Sequence, residues 1–288
     1  MASAAILDVL LQVLLHSCIC NSLNLIDIVK LRTTCKKMYR APVFTLTKLD
    51  CTRCDKMVVL PEKLLPNCLT TLDCSWCTNL ESLPNPLPTG LMELNCSGCD
   101  SLETLPVELP NSLTTLNCSW CDSLERFPDR LPTNLTTLNC TYCCNLKRLP
   151  NQLPNSLTTL NCAGCNSLES LPAQLPNSLT TLICTTCSNL KTLPDPLPNG
   201  LTMLDCSGCD NLESLPYPLP DGLTELHCNE CNNLESLPDQ LPASLTNLDC
   251  RECSALVSLP NPLPASLTTL VCSGCDRLNT YGLSEETS

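Results

Sequence analysis

Leu69-Thr70-Thr71-Leu72-Asp73-Cys74-Ser75-Trp76-Cys77-Thr78-Asn79-Leu80-Glu81-Ser82-Leu83-Pro84 is the stretch that decides the fold. Its skeleton, L-x-x-L-x-C-x-x-C-x-x-L-x-x-L-P, restarts at Leu91, Leu113, Leu135, Leu157, Leu179, Leu201, Leu223, Leu245 and Leu267, a period of 22 residues. An earlier copy begins at Leu46, 23 residues before Leu69, because Leu64-Leu65-Pro66 carries one extra residue. Eleven short units of one pattern cannot each enclose a core. They must stack, each burying its apolar side against its neighbours, and the product is a solenoid.

Within a copy, the alternation around Leu72 and Cys74 predicts a short strand with one buried face. The remainder, Leu83-Pro84-Asn85-Pro86-Leu87-Pro88-Thr89-Gly90, is too rich in proline for a helix. Proline fixes φ and lacks an N–H, so the back of each unit should be extended, polyproline-like chain closed by a turn. Stacked parallel strands lie about 4.8 Å apart, so eleven copies should give an arc of about 50 Å. Five leucines and two thiols per copy fill its interior, since two Phe, two Trp and four Tyr are too few.

The pattern resembles the leucine-rich repeat, whose strand segment reads L-x-x-L-x-L-x-x-N/C-x-L. The first cysteine, such as Cys74, replaces the third leucine, and the second, such as Cys77, takes the ladder position. Short Leu-Pro-rich repeats of this kind are similar to those of bacterial effectors and large DNA viruses. The resemblance covers residues 43–283 and implies a leucine-rich-repeat solenoid with a parallel β-sheet on one face. It further implies protein binding by the exposed strand face.

Residues 1–42 precede the array, and a short α-helical N-terminal cap is expected there. Asp8, Gln12 and His16 recur every four residues along an apolar run, as on one face of an amphipathic helix. With no basic segment ahead of it, that run does not read as a secretory leader. The bland assignment is a cover for the first repeat. The sharper one rests on Val9-Leu10-Leu11-Gln12-Val13-Leu14-Leu15 and Leu25-Ile26-Asp27-Ile28-Val29-Lys30-Leu31-Arg32-Thr33-Thr34-Cys35-Lys36-Lys37-Met38, which look like an F-box. That resemblance implies docking on a Skp-type adaptor of a cullin ubiquitin ligase through Leu10, Leu14, Ile26 and Val29. Both readings stand at this stage. Residues 284–288 are a polar tail.

The net charge of −13 argues against nucleic acid and anionic membranes, which need clustered Lys and Arg. No apolar run reaches membrane-spanning length. Of 27 cysteines, 22 occupy the two repeat positions, leaving Cys18, Cys20, Cys35, Cys68 and Cys144. Buried free thiols in a reducing, intracellular compartment explain this spacing. Structural zinc and disulfides within each C-x-x-C are the competing explanations. No cofactor and no metal is expected. His227 and Cys228, adjacent in a strand, point to opposite faces, so no catalytic pair is expected.

On the exposed side, Trp76, Trp120 and Tyr142 share one repeat position. Glu93, Glu225, His227, Glu230, Asp249 and Arg251 break the Thr/Asn/Ser monotony. These residues are the expected protein-binding set, with apolar ligand groups at the aromatics and basic ones further along; drift on a solvated face is the competing explanation.

Overall fold

A computed structural model describes residues 47–60 and 65–278. The expected cap, its candidate residues Leu10, Leu14, Ile26 and Val29, and the polar tail lie outside the described residues. Inside them the repeat unit folds as its pattern dictates. The strands are β1 (Lys48–Asp50), β2 (Thr71–Asp73), β3 (Glu93–Asn95), β4 (Thr115–Asn117), β5 (Thr137–Asn139) and β6 (Thr159–Asn161). They continue as β7 (Thr181–Ile183), β8 (Met203–Asp205), β9 (Glu225–His227), β10 (Asn247–Asp249) and β11 (Thr269–Val271).

All eleven form one sheet in sequence order, every pair parallel. Register is locked by the buried central leucine, as in Leu72↔Leu94 and Leu94↔Leu116. A slip by one residue would turn every such leucine to solvent. The extra residue between the first two copies is absorbed outside the strands, for Leu49 still faces Leu72.

Each strand is only three residues long because the turn that follows begins at the first cysteine. Cys74 N–H still bonds the carbonyl of Asn95 at 2.8 Å, and Trp76 N–H that of Ser97. Leu80 N–H then closes a turn onto the Cys77 carbonyl at 2.9 Å. The back is extended with no helix among the described residues, and isolated parallel bridges such as Thr104↔Arg126↔Arg148 join neighbouring copies there. A last turn, Leu91 N–H to Pro88 C=O at 3.0 Å, leads into the next strand. Serines just ahead of it reach back one copy: Ser112 donates to the Leu91 carbonyl at 2.6 Å.

The interior is a leucine column for each apolar position, together with two cysteine columns. In the second copy Leu69, Leu72, Leu80, Leu83 and Leu87 are buried with Cys74 and Cys77. Burial thins at the end of the described array, where Leu259, Leu267, Leu270 and Cys272 are only half-buried. The molecule is a leucine-rich-repeat solenoid with a parallel sheet on one face and an extended back.

Candidate functional site

The site is built on one backbone feature repeated in every copy. The residue just before the second cysteine has positive φ in all eleven: Arg53, Trp76, Gly98, Trp120, Tyr142, Gly164, Thr186, Gly208, Glu230, Glu252 and Gly274, between 53° and 75°. This left-handed conformation costs a side chain-bearing residue about 1–2 kcal/mol, and for bulky residues it is rare. Only four copies use glycine. Trp76, Trp120 and Tyr142 occupy the strained position and stand 48%, 46% and 39% exposed.

The turn that presents them is held by the last strand residue. Asp73 Oδ1 accepts the Ser75 N–H at 2.9 Å, and Asn117 Oδ1 the Ser119 N–H at 3.1 Å. Short polar side chains that bond the backbone two residues on are ordinary turn formers. Here they explain why Asp or Asn ends eight of the eleven strands; Ile183, His227 and Val271 are the exceptions.

From this turn the rings lean toward the following copy. A Cβ at Gly98 would lie 2.6 Å from the Trp76 ring, and one at Gly164 would lie 2.4 Å from the Tyr142 ring. Trp120 lies on Tyr142 instead, stacked at 4.1 Å between centroids. Copies two to six therefore carry an aromatic shelf of three rings, two of them stacked, in which Gly98 and Gly164 are buried seats for Trp76 and Tyr142. Such stacking adds about 0.5–1.5 kcal/mol beyond area burial, which partly offsets the strain.

The charged candidates are placed differently. Glu93 is exposed at the start of β3, one strand over from Thr71. Glu225, His227, Glu230, Asp249 and Arg251 gather on the ninth and tenth copies. Six strand spacings separate β3 from β9, roughly 29 Å, so Glu93 is not brought together with that group. His227 Nε2 lies 3.7 Å from Glu225 Oε2. Asp249 is buried, accepts the Arg251 N–H at 3.2 Å, and holds the Arg251 guanidinium in a charge-assisted pair. Asp249 is thus committed to its own turn, leaving Arg251, Glu225 and Glu230 as the exposed groups there.

The cysteines do not converge. From the second copy on, the second thiol donates to the carbonyl of the previous copy's first cysteine, as Cys121 to Cys96 at 3.1 Å and Cys143 to Cys118 at 3.0 Å. The first donates forward, as Cys118 to Asn139 C=O at 3.5 Å. Hydrogen bonding with Cys143, and then burial, push the Cys118 thiol well above the ordinary range, and Cys96 is raised in the same way by its hydrogen bond with Cys121 and by burial. Among the described residues no set of three or more His, Cys, Asp or Glu is placed to hold a metal. Cys51, Cys74, Cys77 and the later repeat cysteines carry free thiols, while Cys54 is disulfide-bonded. Cys144 is half-buried, its pKa raised by burial first and by Asp122 second.

Sequence reasoning missed the left-handed turn, although one signal was present: glycine alternates with Trp, Tyr and Glu at a single repeat position. It also missed the turn-capping role of Asp249 and the seating of rings on Gly98 and Gly164, which have no signature within one copy.

The chain matches no family model and no curated protein. Among solved structures it is similar to YopM from Yersinia enterocolitica at 26% identity, with a TM-score of 0.43 over 77% of this chain and 59% of that one. The chain thus spans under two thirds of that protein's length. It is also similar to YopM of Yersinia pestis, a leucine-rich effector, at 28% identity and a TM-score of 0.42, over 80% of this chain and 78% of that one. The functional domain of InlJ from Listeria monocytogenes, which includes a cysteine ladder, is 20% identical with a TM-score of 0.36, over 80% of this chain and 64% of that one.

Proposed function

We propose that this solenoid recognises a protein, with the shelf of Trp76, Trp120 and Tyr142 as the apolar anchor. The observation that carries this is three large aromatics, roughly half exposed, at a backbone position where each costs conformational energy. Exposed, pre-ordered Trp and Tyr are the side chains on which binding energy concentrates. Glu225 and Glu230, with His227 beside them, offer a second, acidic contact to basic groups of the same ligand, Arg251 meets an acidic one, and Glu93 on the third copy adds a separate acidic point. The role is binding without catalysis, in a reducing intracellular compartment that suits the free buried thiols from Cys74 onward, Cys54 being the disulfide-bonded exception. A chain with W76A, W120A and Y142A should lose its partner while keeping its circular dichroism, since none of the rings is core. Retention of every bound protein by that variant, in quantitative affinity capture, would remove the shelf from the reading.

The F-box resemblance of residues 1–42 favours one concrete version, a substrate receptor of a cullin ubiquitin ligase. The full chain should then co-purify with a Skp-type adaptor, and L14D should abolish this without disturbing the repeats. A folded chain that ignores the adaptor would leave a stand-alone binding or scaffold protein.

A further inference from the structure

The back of the solenoid carries a second surface, distinct from the shelf. Each copy contributes one residue to the bridge column that includes Thr104↔Arg126↔Arg148. In the other described copies that column holds neutral residues: Val59, Ser82, Thr104, Ser170, Thr192, Ser214, Ser236 and Ser258. Only the fourth and fifth place arginine there, on backbones roughly 4.8 Å apart. Neither guanidinium has a hydrogen-bond or ion-pair partner among the described residues, in a chain of net charge −13. Two adjacent like charges contribute nothing to folding that serine does not supply in the neighbouring copies.

Arg126 and Arg148 line a concavity of about 830 Å³ with Lys147, Ser123 and the carboxylates of Glu103, Glu125 and Glu169. Lys147 is paired with Glu125 at 3.4 Å, but both are about two-thirds exposed, so the pair is weak and its ammonium can turn toward an anion. The geometry points to an oxyanion site in which Arg126 and Arg148 clamp the phosphomonoester of a phosphorylated serine or threonine on a protein partner. Planar guanidiniums give paired, charge-assisted hydrogen bonds to phosphate oxygens. Such a dianion neutralises both arginines at once. Glu103 and Glu169 close the two ends of the concavity, so a single compact anion fits while an extended polyanion meets carboxylates in both directions. Those same carboxylates favour basic residues flanking the phosphate.

The inference deepens the protein-recognition reading on a separate face, and its test is independent of the shelf. The probe is the peptide acetyl-Lys-Gly-phosphoserine-Gly-Lys-amide, titrated into the full chain by calorimetry at low salt. Saturable binding is expected, with none for the unphosphorylated peptide. In R126S/R148S it should weaken roughly tenfold or more, the loss of charged hydrogen bonds. Serine already occupies this position in other copies, so that variant should fold, and unchanged melting confirms it. R277A and the shelf variants should bind normally. No saturable binding, or binding undiminished in R126S/R148S, overturns the site. Inorganic phosphate or a 12-nucleotide RNA binding as tightly as the phosphopeptide overturns the assignment to a phosphorylated protein. None of these outcomes touches the shelf, whose own test is partner loss in the triple aromatic variant.

Discussion

At the scale of single residues, two positions show how a repeat pattern hides different chemistry. The two cysteines of a copy are equally buried but not equally bonded. Cys121 donates across 3.1 Å and Cys118 across 3.5 Å. A hydroxyl placed at the second position keeps a near acceptor, whereas one at the first is buried with a longer contact. C118S should therefore cost about 1–3 kcal/mol, and C121S less, measured by urea denaturation. Equal losses would show that hydrogen bonding does not separate the two columns. The glycine seats give a second residue-scale expectation. In G98A the new Cβ meets the Trp76 ring at 2.6 Å and must also accept a φ of 68°. The left-handed strain alone is worth about 1–2 kcal/mol. The variant should lower the melting temperature and shift Trp fluorescence as Trp76 is displaced; an unshifted spectrum would mean that the ring does not rest on Gly98.

At the scale of one strand and its turn, stability is a nearest-neighbour quantity. β5 lies between two full copies, and its Leu138 is wholly buried. Leu270 in β11 is only half-buried, with fewer atoms around it. L138A should cost about 2–5 kcal/mol through lost contacts and a residual cavity, and L270A clearly less. Chemical denaturation of the two variants measures the difference, and a reversed order would contradict stacking as the source of stability. The element also explains the candidate site. Aromatics at this turn are displayed because the left-handed residue aims its side chain along the stack and away from the core.

At the scale of the whole molecule, the two thiol columns become a collective property. Hydrogen bonding with the next copy's second thiol, and then burial, hold first-position cysteines such as Cys96, Cys118 and Cys140 protonated well above the ordinary range, and burial pushes Cys77 to about 12. Second-position Cys99, Cys165, Cys209 and Cys253 are shifted the other way, lowered by the hydrogen bond with their first-position partners. In the unfolded chain a thiol ionises near pH 8.5. A group whose folded pKa is raised contributes stability that is complete below the unfolded value and lost as pH climbs toward the folded one. The melting temperature should accordingly be level from pH 6 to about 8 and fall from about pH 9 upward, because the raised thiols outnumber the lowered ones, whose contribution has the opposite sign. A midpoint unchanged between pH 8 and 10.5 would show that the columns titrate as they do in the unfolded chain.

What the sequence determined by itself was the solenoid: period, sheet, extended back and the inward set of five leucines and two cysteines follow from the spacing in Leu69–Pro84. Each is a local or nearest-neighbour consequence, and a perfect repeat presents the same neighbours to every copy. The position of Trp76, Trp120 and Tyr142 on one column was legible for the same reason. What only the tertiary structure decided lies between copies. The ring of Trp76 resting on Gly98, the stack of Trp120 on Tyr142, and the unpartnered juxtaposition of Arg126 and Arg148 depend on which side chain leans toward which neighbour. Asp249 reads as a surface charge in a string of letters. It is a buried turn cap because Arg251, two residues later, lays its guanidinium over the carboxylate, whereas the equivalent Asp73 and Asn117 stay half-buried.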